Sequence, residues 1–564
     1  MKIKHFFGLA VIAAMTASCS SNNDLVNGGN GPSKNETGTA YASFKINLPT
    51  TSGTRADDPE DPKQGTPSFE YGTEAEYEVK NGTILIFDAN TDKFVTSGTL
   101  GTMNPWTDVK SDGVTTAAIA TVKLSGVTVG GNYKALVLLN NDVDATTKKV
   151  TLPTTEETYA AWSKDATKAN AEKYVSTDGI FMANAPMYSA TSEPTTLVKI
   201  NHVCASPEEA QAKAATVVYV ERGLAKVTMK DFTEGGYPIA DGTYAGGKVE
   251  IKNWQLDVTN NSTFPVHQTS GLMTAWDQIW NTPRFYDKTS TAFQRVYWGE
   301  DPNYNEAKYQ NLANCKTAFK MITKDDVNGV TANPQYCLEN TFDLDNMKQG
   351  QTTRVVFKAV FTPKDFKSKY KTFYKIGNNT TIWSQENLEM QIKAKAQEVL
   401  GKESETNKIE VKLDAAKNDI EKTAGTKILT EENVQHNSAN VKPEEIKAIN
   451  EKLGLKAATE TDPIVGIATY KDGESYYIAR IKHFNELTPW APGKAYGTDN
   501  ATFLGRYGVL RNNWYELSVN KVSGLGYPDV PEVKPNLPDD ENDQYISVSV
   551  KILSWAKRSQ NIDL

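Results

Sequence analysis

The chain has 564 residues, a length that predicts two or more domains. Apolar residues make up 39% and charged residues 23%, which is typical of a globular protein and excludes a mainly disordered chain. The formal net charge is -8 and the sequence has no large basic block, so nucleic acid is not expected as a partner. The mean hydropathy of -0.51 excludes a protein with several membrane-spanning helices.

The first residues have the pattern of an export signal. Lys2 and Lys4 precede an apolar run over residues 6–15, which is too short to span a bilayer. Small residues follow and end at Cys19. This predicts a signal peptide over residues 1–18 and lipidation of the Cys19 thiol. The alternative is an ordinary secretory signal with an incidental cysteine.

The first alternating segment covers residues 41–48. Phe44, Ile46 and Leu48 share one face, and the period of two predicts a half-buried strand. A loop of small residues then ends at Arg55, and an arginine in such a loop suits a trypsin-like protease. The alternative is a surface arginine with no role.

A second alternating segment covers residues 545–552, at the start of a predicted terminal strand region over 545–564. One face of this predicted strand carries Ile546, Val548, Val550 and Ile552. Residues 527–544 are rich in proline and acidic residues, which predicts an extended, solvated arm in front of it. Two separable terminal strands suggest strand exchange between subunits. The alternative is a last strand that folds back onto its own sheet.

The body of the chain is predicted to be mainly β. Strands are expected over residues 76–88, 117–124, 133–140, 216–222, 225–230, 249–258, 353–361, 464–470, 476–483 and 511–519. We place the domain boundary near Gln268, after the strand over 249–258 and its turn. This gives an N-terminal domain over 56–268 and a C-terminal domain over 269–526.

An insertion over residues 385–456 is predicted to be helical. One helix would be capped by Ser384 and end at Gly401, and another would begin at Pro443 and end at Gly454. A third helix is a candidate over residues 156–174. The charge of the insertion suggests a solvated decoration on the second domain rather than a dedicated adhesion site.

No catalytic, metal or cofactor site emerges from the sequence. The five histidines form no metal-ligand spacing, and His483 after an apolar strand is interpreted as structural. Cys315 and Cys337 are candidates for a disulfide in an oxidising compartment. Cys204 could instead pair with either of them or stay buried and free.

Several further segments form an ordered set along the chain. In chain order they are residues 133–140, 220–227, 354–363, 507–515, 517–519, 522–526, 547–555 and 562–564. The run over 507–515 contains Arg511-Asn512-Asn513, and the last segments include Trp555. Together these segments resemble the type V pilus fimbrillin family, and the ending that includes Trp555 is most similar to the close of the short-fimbriae (Mfa-type) major subunit.

The resemblance implies a fold of two transthyretin-like antiparallel β-sandwich domains and a defined life history. The precursor would be carried to the outer membrane on the lipid at Cys19, with a pro-segment over residues 19–55. An arginine-specific protease would cut after Arg55, leaving Ala56 as the new N-terminus. Removal of the placeholder strand 41–48 would open a groove, and a neighbour's donor strand over 545–555 would fill it.

The implied partners are identical subunits arranged head to tail, anchor and tip fimbrial proteins, and a host or microbial surface receptor. Other roles stay open. The chain could be a tip or anchor accessory protein of a fimbria, or a monomeric glycan-binding surface lipoprotein. An enzymatic role is not expected, because no catalytic constellation appears.

Overall fold

A computed structural model gives the architecture of the protein. It describes residues 38–49, 72–100, 107–108, 114–174, 179–189, 192–269, 271–272, 296–306, 309, 311–328, 332–366, 371–459, 463–484, 496, 500–540 and 546–553. The expected signal peptide, Cys19, Arg55, Ala56 and Trp555 lie outside these described residues.

Strands dominate the described chain. The strands of the first half are β1 (Thr39–Pro49), β2 (Gly82–Asp88), β3 (Phe94–Thr99), β4 (Thr107–Asp108), β5 (Val114–Ser125), β6 (Tyr133–Leu139), β7 (Met182–Asn184), β8 (Met187–Ser189), β9 (Ser192–Thr195), β10 (Val198–Lys199), β11 (Thr216–Arg222), β12 (Ala225–Met229), β13 (Tyr237–Pro238), β14 (Lys248–Asp257) and β15 (Thr259–Asn260). Those of the second half are β16 (Phe319–Lys320), β17 (Gln335–Cys337), β18 (Arg354–Thr362), β19 (Phe373–Ile376), β20 (Ile409–Val411), β21 (Asp414–Ala415), β22 (Asn418–Asp419), β23 (Gly425–Lys427), β24 (Val434–His436), β25 (Ala439–Asn440), β26 (Ile467–Tyr470), β27 (Glu474–Arg480), β28 (Trp514–Val522) and β29 (Ile546–Leu553).

The described helices are mostly short. They are α1 (Glu74–Tyr77), α2 (Tyr159–Ser163), α3 (Ala171–Tyr174), α4 (Pro207–Ala212), α5 (Leu312–Ala318), α6 (Lys324–Asn328), α7 (Gln385–Leu400) and α8 (Pro443–Lys452). Single 3-10 turns cover Ala166–Lys168, Leu344–Asn346, Glu431–Asn433, Lys471–Gly473 and Asn500–Phe503. The expectation of a mainly β protein is therefore confirmed.

Strands β1–β7, β10 and β11 form one large curled sheet. Its strand order is β3-β2-β6-β7-β11-β1-β5-β4, with β10 paired to β6. The sheet curls so far that β3 packs against β5: a Cβ on Gly98 would lie 2.7 Å from Cγ1 of Val122. This barrel-like closure differs from a plainly open two-layer sandwich, and the several smaller sheets of the second half are also curled.

The chain changes sheets at Gly223. Strand β11 belongs to the first sheet, while β12 pairs with β17 and β28 in another. Strand β14, which the sequence placed in the first domain, pairs with β18 instead. Its Trp254 shares a hydrophobic core with Phe357 and Tyr477. We therefore propose a domain boundary at Gly223 rather than near Gln268.

The insertion is a small subdomain with a hydrophobic core of its own. The predicted helices are confirmed as α7 and α8: the Ser384 hydroxyl accepts from the Asn387 amide, Gly401 ends α7 at φ 89°, and Pro443 begins α8. Short sheets surround them. The core is formed by residues such as Leu388, Ile392, Ile420, Val434, Ile449 and Ile467, all at most 1% exposed.

The third predicted helix is wrong as a continuous element. Residues 156–174 contain two short helices, α2 and α3, and a 3-10 turn between them. The Asp165 carboxylate accepts from the Thr167 amide and starts a new turn there. Trp162 and Tyr174 are both fully buried, so tertiary packing overrides the helical pattern.

The solvated arm is also a wrong expectation. Residues 527–540, which we call the strap, are docked along the body. Tyr527 and Tyr476 exchange backbone hydrogen bonds, and Val533 is 5% exposed inside a hydrophobic cluster. Asp539 and Asp540 are 1% and 2% exposed. The Thr352 hydroxyl donates to the Asp539 carboxylate at 3.1 Å and the Tyr507 hydroxyl to one oxygen of Asp540 at 2.7 Å, while the other Asp540 oxygen has no hydrogen-bond partner among the described residues.

The candidate disulfide is not formed. Cys204, Cys315 and Cys337 are all buried free thiols. Cys315 packs beside Val533, and its thiol donates to the Tyr309 carbonyl at 3.1 Å. Cys337 lies in β17 within the main core of the second half. The two thiols belong to different hydrophobic clusters, which explains why they do not pair.

Candidate functional site

The predicted placeholder strand lies in the interior of a sheet. Strand β1 pairs in parallel with β11 and antiparallel with β5, so it has a hydrogen-bonded neighbour on each side. Its start is held further by two backbone hydrogen bonds between Tyr41 and Cys204, at 2.9 and 2.8 Å. Over residues 44–47 the strand therefore has backbone partners on both sides.

The inward face of β1 is completely buried. The side chains of Ala40, Ala42, Phe44 and Ile46 are 0% exposed, and Leu48 is 1% exposed. They share one core with residues of the neighbouring strands: Ile84, Ile86, Val122, Leu124, Val137, Leu139, Val218 and Val220. The alternation of Phe44, Ile46 and Leu48 seen in the sequence is thus confirmed as a buried face.

The outward face of β1 alternates between burial and exposure. Ser43 is 7% exposed and its hydroxyl lies 2.8 Å from the Thr121 hydroxyl, while Asn47 is 4% exposed. Between them, Lys45 is exposed and stands in register with Ile119 on β5 and Val217 on β11. Ile119 and Val217 are 64% and 40% exposed.

The other predicted strand, β29, lies at an edge. It pairs antiparallel with β28 of the same chain, from Trp514 opposite Leu553 to Val522 opposite Ile546. The four-stranded sheet runs β17-β12-β28-β29, so β29 is its last strand. This position corresponds to the alternative that the sequence left open, a last strand that folds back onto a sheet of its own chain.

The Arg511-Asn512-Asn513 signature holds the point where the chain changes sheets. Asn512 has a φ of 58°, its amide donates to the Leu224 carbonyl at 2.7 Å, and its side chain accepts from the Arg222 amide. The Asn513 carbonyl accepts from the Lys226 amide at 2.9 Å. These residues therefore have a structural role at the junction of the two halves.

Buried charges support the same junction. The Arg511 guanidinium lies 3.3 Å from the Glu339 carboxylate and donates to the Thr263 hydroxyl at 3.2 Å. Glu339 also lies 3.9 Å from His267, whose other ring nitrogen is 2.8 Å from Glu221. The side chains of all four ionisable residues are at most 3% exposed.

A second ion cluster ties the segment after the expected cleavage point to the body. The Glu76 carboxylate on α1 lies 2.6 Å from the Lys226 ammonium and accepts from the Tyr336 hydroxyl. Arg222 donates to the Glu76 carbonyl at 2.8 Å, and the Lys226 ammonium lies 3.7 Å from the centre of the Trp514 ring.

Burial alone would raise the pKa of the Glu76 carboxyl. The hydrogen bond and the positive charge of Lys226 stabilise the carboxylate, as do hydrogen bonds from the Tyr336 hydroxyl and the Thr73 amide. Together they outweigh the effect of burial and hold the pKa of Glu76 below its usual 4.5. The sequence analysis missed this cluster. Its signal was available, because Glu221, Arg222 and Lys226 interrupt two otherwise apolar strands.

Among the described residues, no group of three or more His, Cys, Asp or Glu side chains could hold a metal ion. His483 is structural, as interpreted: its ring nitrogens lie 2.8 Å from the Tyr515 hydroxyl and 2.8 Å from the Tyr297 carbonyl oxygen. Within the same described part, no helix is both long and apolar enough to cross a membrane.

Comparisons with known proteins point to one family for the C-terminal region. Residues 468–561 match the family model described as "Major fimbrial subunit protein type IV, Fimbrillin, C-terminal". A solved structure of a fimbrial assembly protein from Parabacteroides distasonis ATCC 8503 is 12% identical, with a TM-score of 0.26. That alignment covers 58% of this chain and 97% of the other, and its TM-score is too low to inform fold or function.

No curated protein matches the chain. The region that matches the family model contains β27, β28, β29, the strap and the Arg511-Asn512-Asn513 signature. The C-terminal part of this chain is therefore similar to the C-terminal region of fimbrillins.

Proposed function

We propose that the chain is the structural subunit of a cell-surface fimbria, with no enzymatic activity, closest to the short-fimbriae major subunit. In this proposal, Cys19 carries the exported precursor to the outer membrane as a lipoprotein. Cleavage after Arg55 makes Ala56 the N-terminus and releases the segment that contains β1. The observation that carries the proposal is the position of β1 between two strands in the interior of a sheet.

Release of β1 would leave an unfavourable groove. Strands β5 and β11 would both gain an unpaired edge, which attracts another strand. Burial of Phe44, Ile46 and Leu48 is worth roughly 1.5–3 kcal/mol for each side chain, and that stabilisation would be lost. A strand of the same alternation from another subunit would restore both contributions.

Strand β29 supplies such an alternation. Its sequence places Ile546, Val548, Val550 and Ile552 on one face. As the last strand of its sheet, it is paired with β28 alone, so its release breaks one backbone ladder. Insertion into a neighbour would form two ladders, which favours exchange.

Repeated exchange between identical subunits would build a filament, because a head-to-tail contact that does not close generates an open polymer. Anchor and tip proteins would end the filament, and a host or microbial surface receptor would be its target in adhesion. The reading of the fold as two transthyretin-like sandwiches belongs to the same proposal. The match of residues 468–561 to a fimbrillin model supports it.

The test uses the soluble precursor with Cys19 replaced by serine and treated with an arginine-specific protease. Unheated samples on a denaturing gel are expected to show a ladder of multimers that collapses on boiling. Arg55→Lys keeps the charge but removes the cleavage site, and it should abolish the ladder.

A matched pair of variants separates strand exchange from general association. Val550→Asp places a charge among the alternating apolar residues of the β29 sequence and should abolish the ladder, whereas Lys551→Gln at an alternate position should preserve it. A trimmed monomer from the unaltered protein would overturn the proposal. That result would favour a tip protein or a monomeric glycan-binding lipoprotein, while a precursor that stays uncleaved would favour an anchor.

A further inference from the structure

We infer the register of the joint between subunits: residues 546–553 of one copy take the places of residues 40–47 in the next, residue for residue. This inference rests on the proposed function. Its starting point is a short internal repeat. Ser43-Phe44-Lys45-Ile46 in β1 corresponds to Ser549-Val550-Lys551-Ile552 in β29, at the same phase of the inward and outward alternation.

The outward face of the groove accepts a lysine at one position. Ser43 and Asn47 are 7% and 4% exposed, whereas Lys45 between them is exposed. In the inferred register, Lys551 replaces Lys45. Its hydrocarbon stem would then lie between Ile119 and Val217, and its ammonium would stay in water.

Shifted registers are unfavourable for the same reason. A slip of two residues in either direction would place Lys551 at the site of Ser43 or of Asn47, where a charge would be buried without a partner. A slip of one residue would turn the apolar face outward. For a donor strand that runs in the same direction as β1, the pattern of burial along β1 therefore selects one register.

The donor strand also corrects a defect of the strand that it replaces. The Asn47 side-chain oxygen is buried without a hydrogen-bond partner. Leu553 would occupy that site and remove the unsatisfied polar atom, which favours the exchanged state. Ser549 would inherit the hydrogen bond that Ser43 makes with Thr121 at 2.8 Å.

At the inward positions 40, 42, 44 and 46, the exchange moves apolar volume from the centre of the strand to its start. Ile546 and Val548 are larger than Ala40 and Ala42, while Val550 is smaller than Phe44. Since these sites share one core, the loss at the centre offsets part of the gain at the start of the strand. Ile552 replaces Ile46 without change.

Direction is part of the inference. The donor would run parallel to β11 and antiparallel to β5, as β1 does, so position 549 would face Thr121. A reversed strand with Lys551 at the same site would instead bring position 549 opposite Ala117, the partner of Asn47. A slip that moved position 549 to the site of Lys45 would bring it opposite Ile119.

Engineered cysteine pairs test the register in the cleaved, polymerised protein. Ser549→Cys is combined in turn with Thr121→Cys, Ala117→Cys and Ile119→Cys, and boiled samples are run without reductant. We expect a covalent ladder with Thr121→Cys, and only cleaved monomer with the other two. The joined peptides are identified by mass spectrometry.

Ser43→Cys with Thr121→Cys in the uncleaved precursor shows whether this site can close a disulfide. A covalent ladder with Ala117→Cys or Ile119→Cys would overturn the inferred register. The register would also be overturned if Ser549→Cys with Thr121→Cys gave a ladder only in unheated samples, although Ser43→Cys with Thr121→Cys forms its disulfide in the precursor. If the unaltered protein forms no unheated ladder, the proposed function fails instead, and the two failures are distinguishable.

Discussion

At the scale of single residues, the junction of the two halves contains buried pairs of opposite charge. Glu76 and Lys226 form one such pair at 2.6 Å, and Arg511 with Glu339 form another at 3.3 Å. A buried pair adds little net stability against an apolar replacement, but loss of one partner leaves a buried charge alone. These residues therefore make the junction sensitive to single substitutions and to acid.

Glu76→Gln tests this sensitivity. We expect a loss of about 3 kcal/mol at neutral pH, because Lys226 keeps its charge and loses its carboxylate partner. The pKa of Glu76 is lowered by folding, so its contribution is present above 4.5 and is lost as the pH falls through the lowered value. The difference between the variant and the unaltered protein should shrink in that acid range.

Urea unfolding followed at several pH values measures this difference. Glu74→Gln is the matched control, because Glu74 is exposed on the same short helix and should leave stability unchanged. A constant difference between Glu76→Gln and the unaltered protein across the acid range would contradict the expected linkage.

At the scale of elements, the strap connects the body to β29 and is fixed by a row of specific contacts. The Arg354 guanidinium is 2.8 Å from the Asp257 carboxylate and donates to the Pro531 carbonyl at 2.6 Å. Further along, the Asp540 carboxylate accepts from the Tyr507 hydroxyl at 2.7 Å. The neighbouring Asp539 is buried, and this burial raises the pKa of its carboxyl to about 6. The strap therefore sets the point from which β29 can depart.

Val533→Ala should loosen the strap without affecting the first sheet. Val533 packs in the cluster with Val258 and Phe319, and its truncation should cost about 1–2 kcal/mol. Hydrogen exchange should become faster over residues 527–540, while rates in β1 and β5 stay the same. Lys534→Ala, at the exposed neighbouring position, should change neither. If hydrogen exchange over residues 527–540 were equally fast in Val533→Ala and in the unaltered protein, the strap would be held by its polar contacts alone.

At the scale of the whole molecule, the insertion is attached to the body through two adjacent strands. Strands β19 and β26 pair antiparallel, and the Gly377 amide donates to the Gly466 carbonyl at 2.8 Å. The points where the chain enters and leaves the insertion thus lie next to each other. The separate hydrophobic core of the insertion agrees with an independent unit.

This geometry predicts that the insertion can be excised. Gly377 is joined directly to Gly466, and Tyr374→Thr, Ile376→Thr and Ile467→Thr replace the three residues of this core that the excision would uncover. The shortened chain should fold and, after cleavage, should form the same unheated ladder. Circular dichroism and the gel assay measure the two outcomes. A folded chain that no longer polymerises would show that the insertion takes part in assembly.

The sequence by itself determined the elements that depend on local pattern. The alternation of Phe44, Ile46 and Leu48 predicted the buried face of β1, and the caps at Ser384 and Gly401 predicted the bounds of α7. Both are set by side chains a few residues apart. The charge of the last acidic residues likewise gave a reasonable expectation of solvation, because acidic residues are rarely buried without partners.

Only the tertiary structure decided what lies beside these elements. Arg354 and Tyr507 are far from the strap in the sequence, yet their contacts turn an expected solvated arm into a docked one. In the same way, the pairing of β12 with β28 shows that the chain changes sheets at Gly223, and the Asn512 amide donates to the Leu224 carbonyl there across a long sequence separation. Partners that are remote in the sequence leave no periodic signal, so pattern could give the strands but not their neighbours.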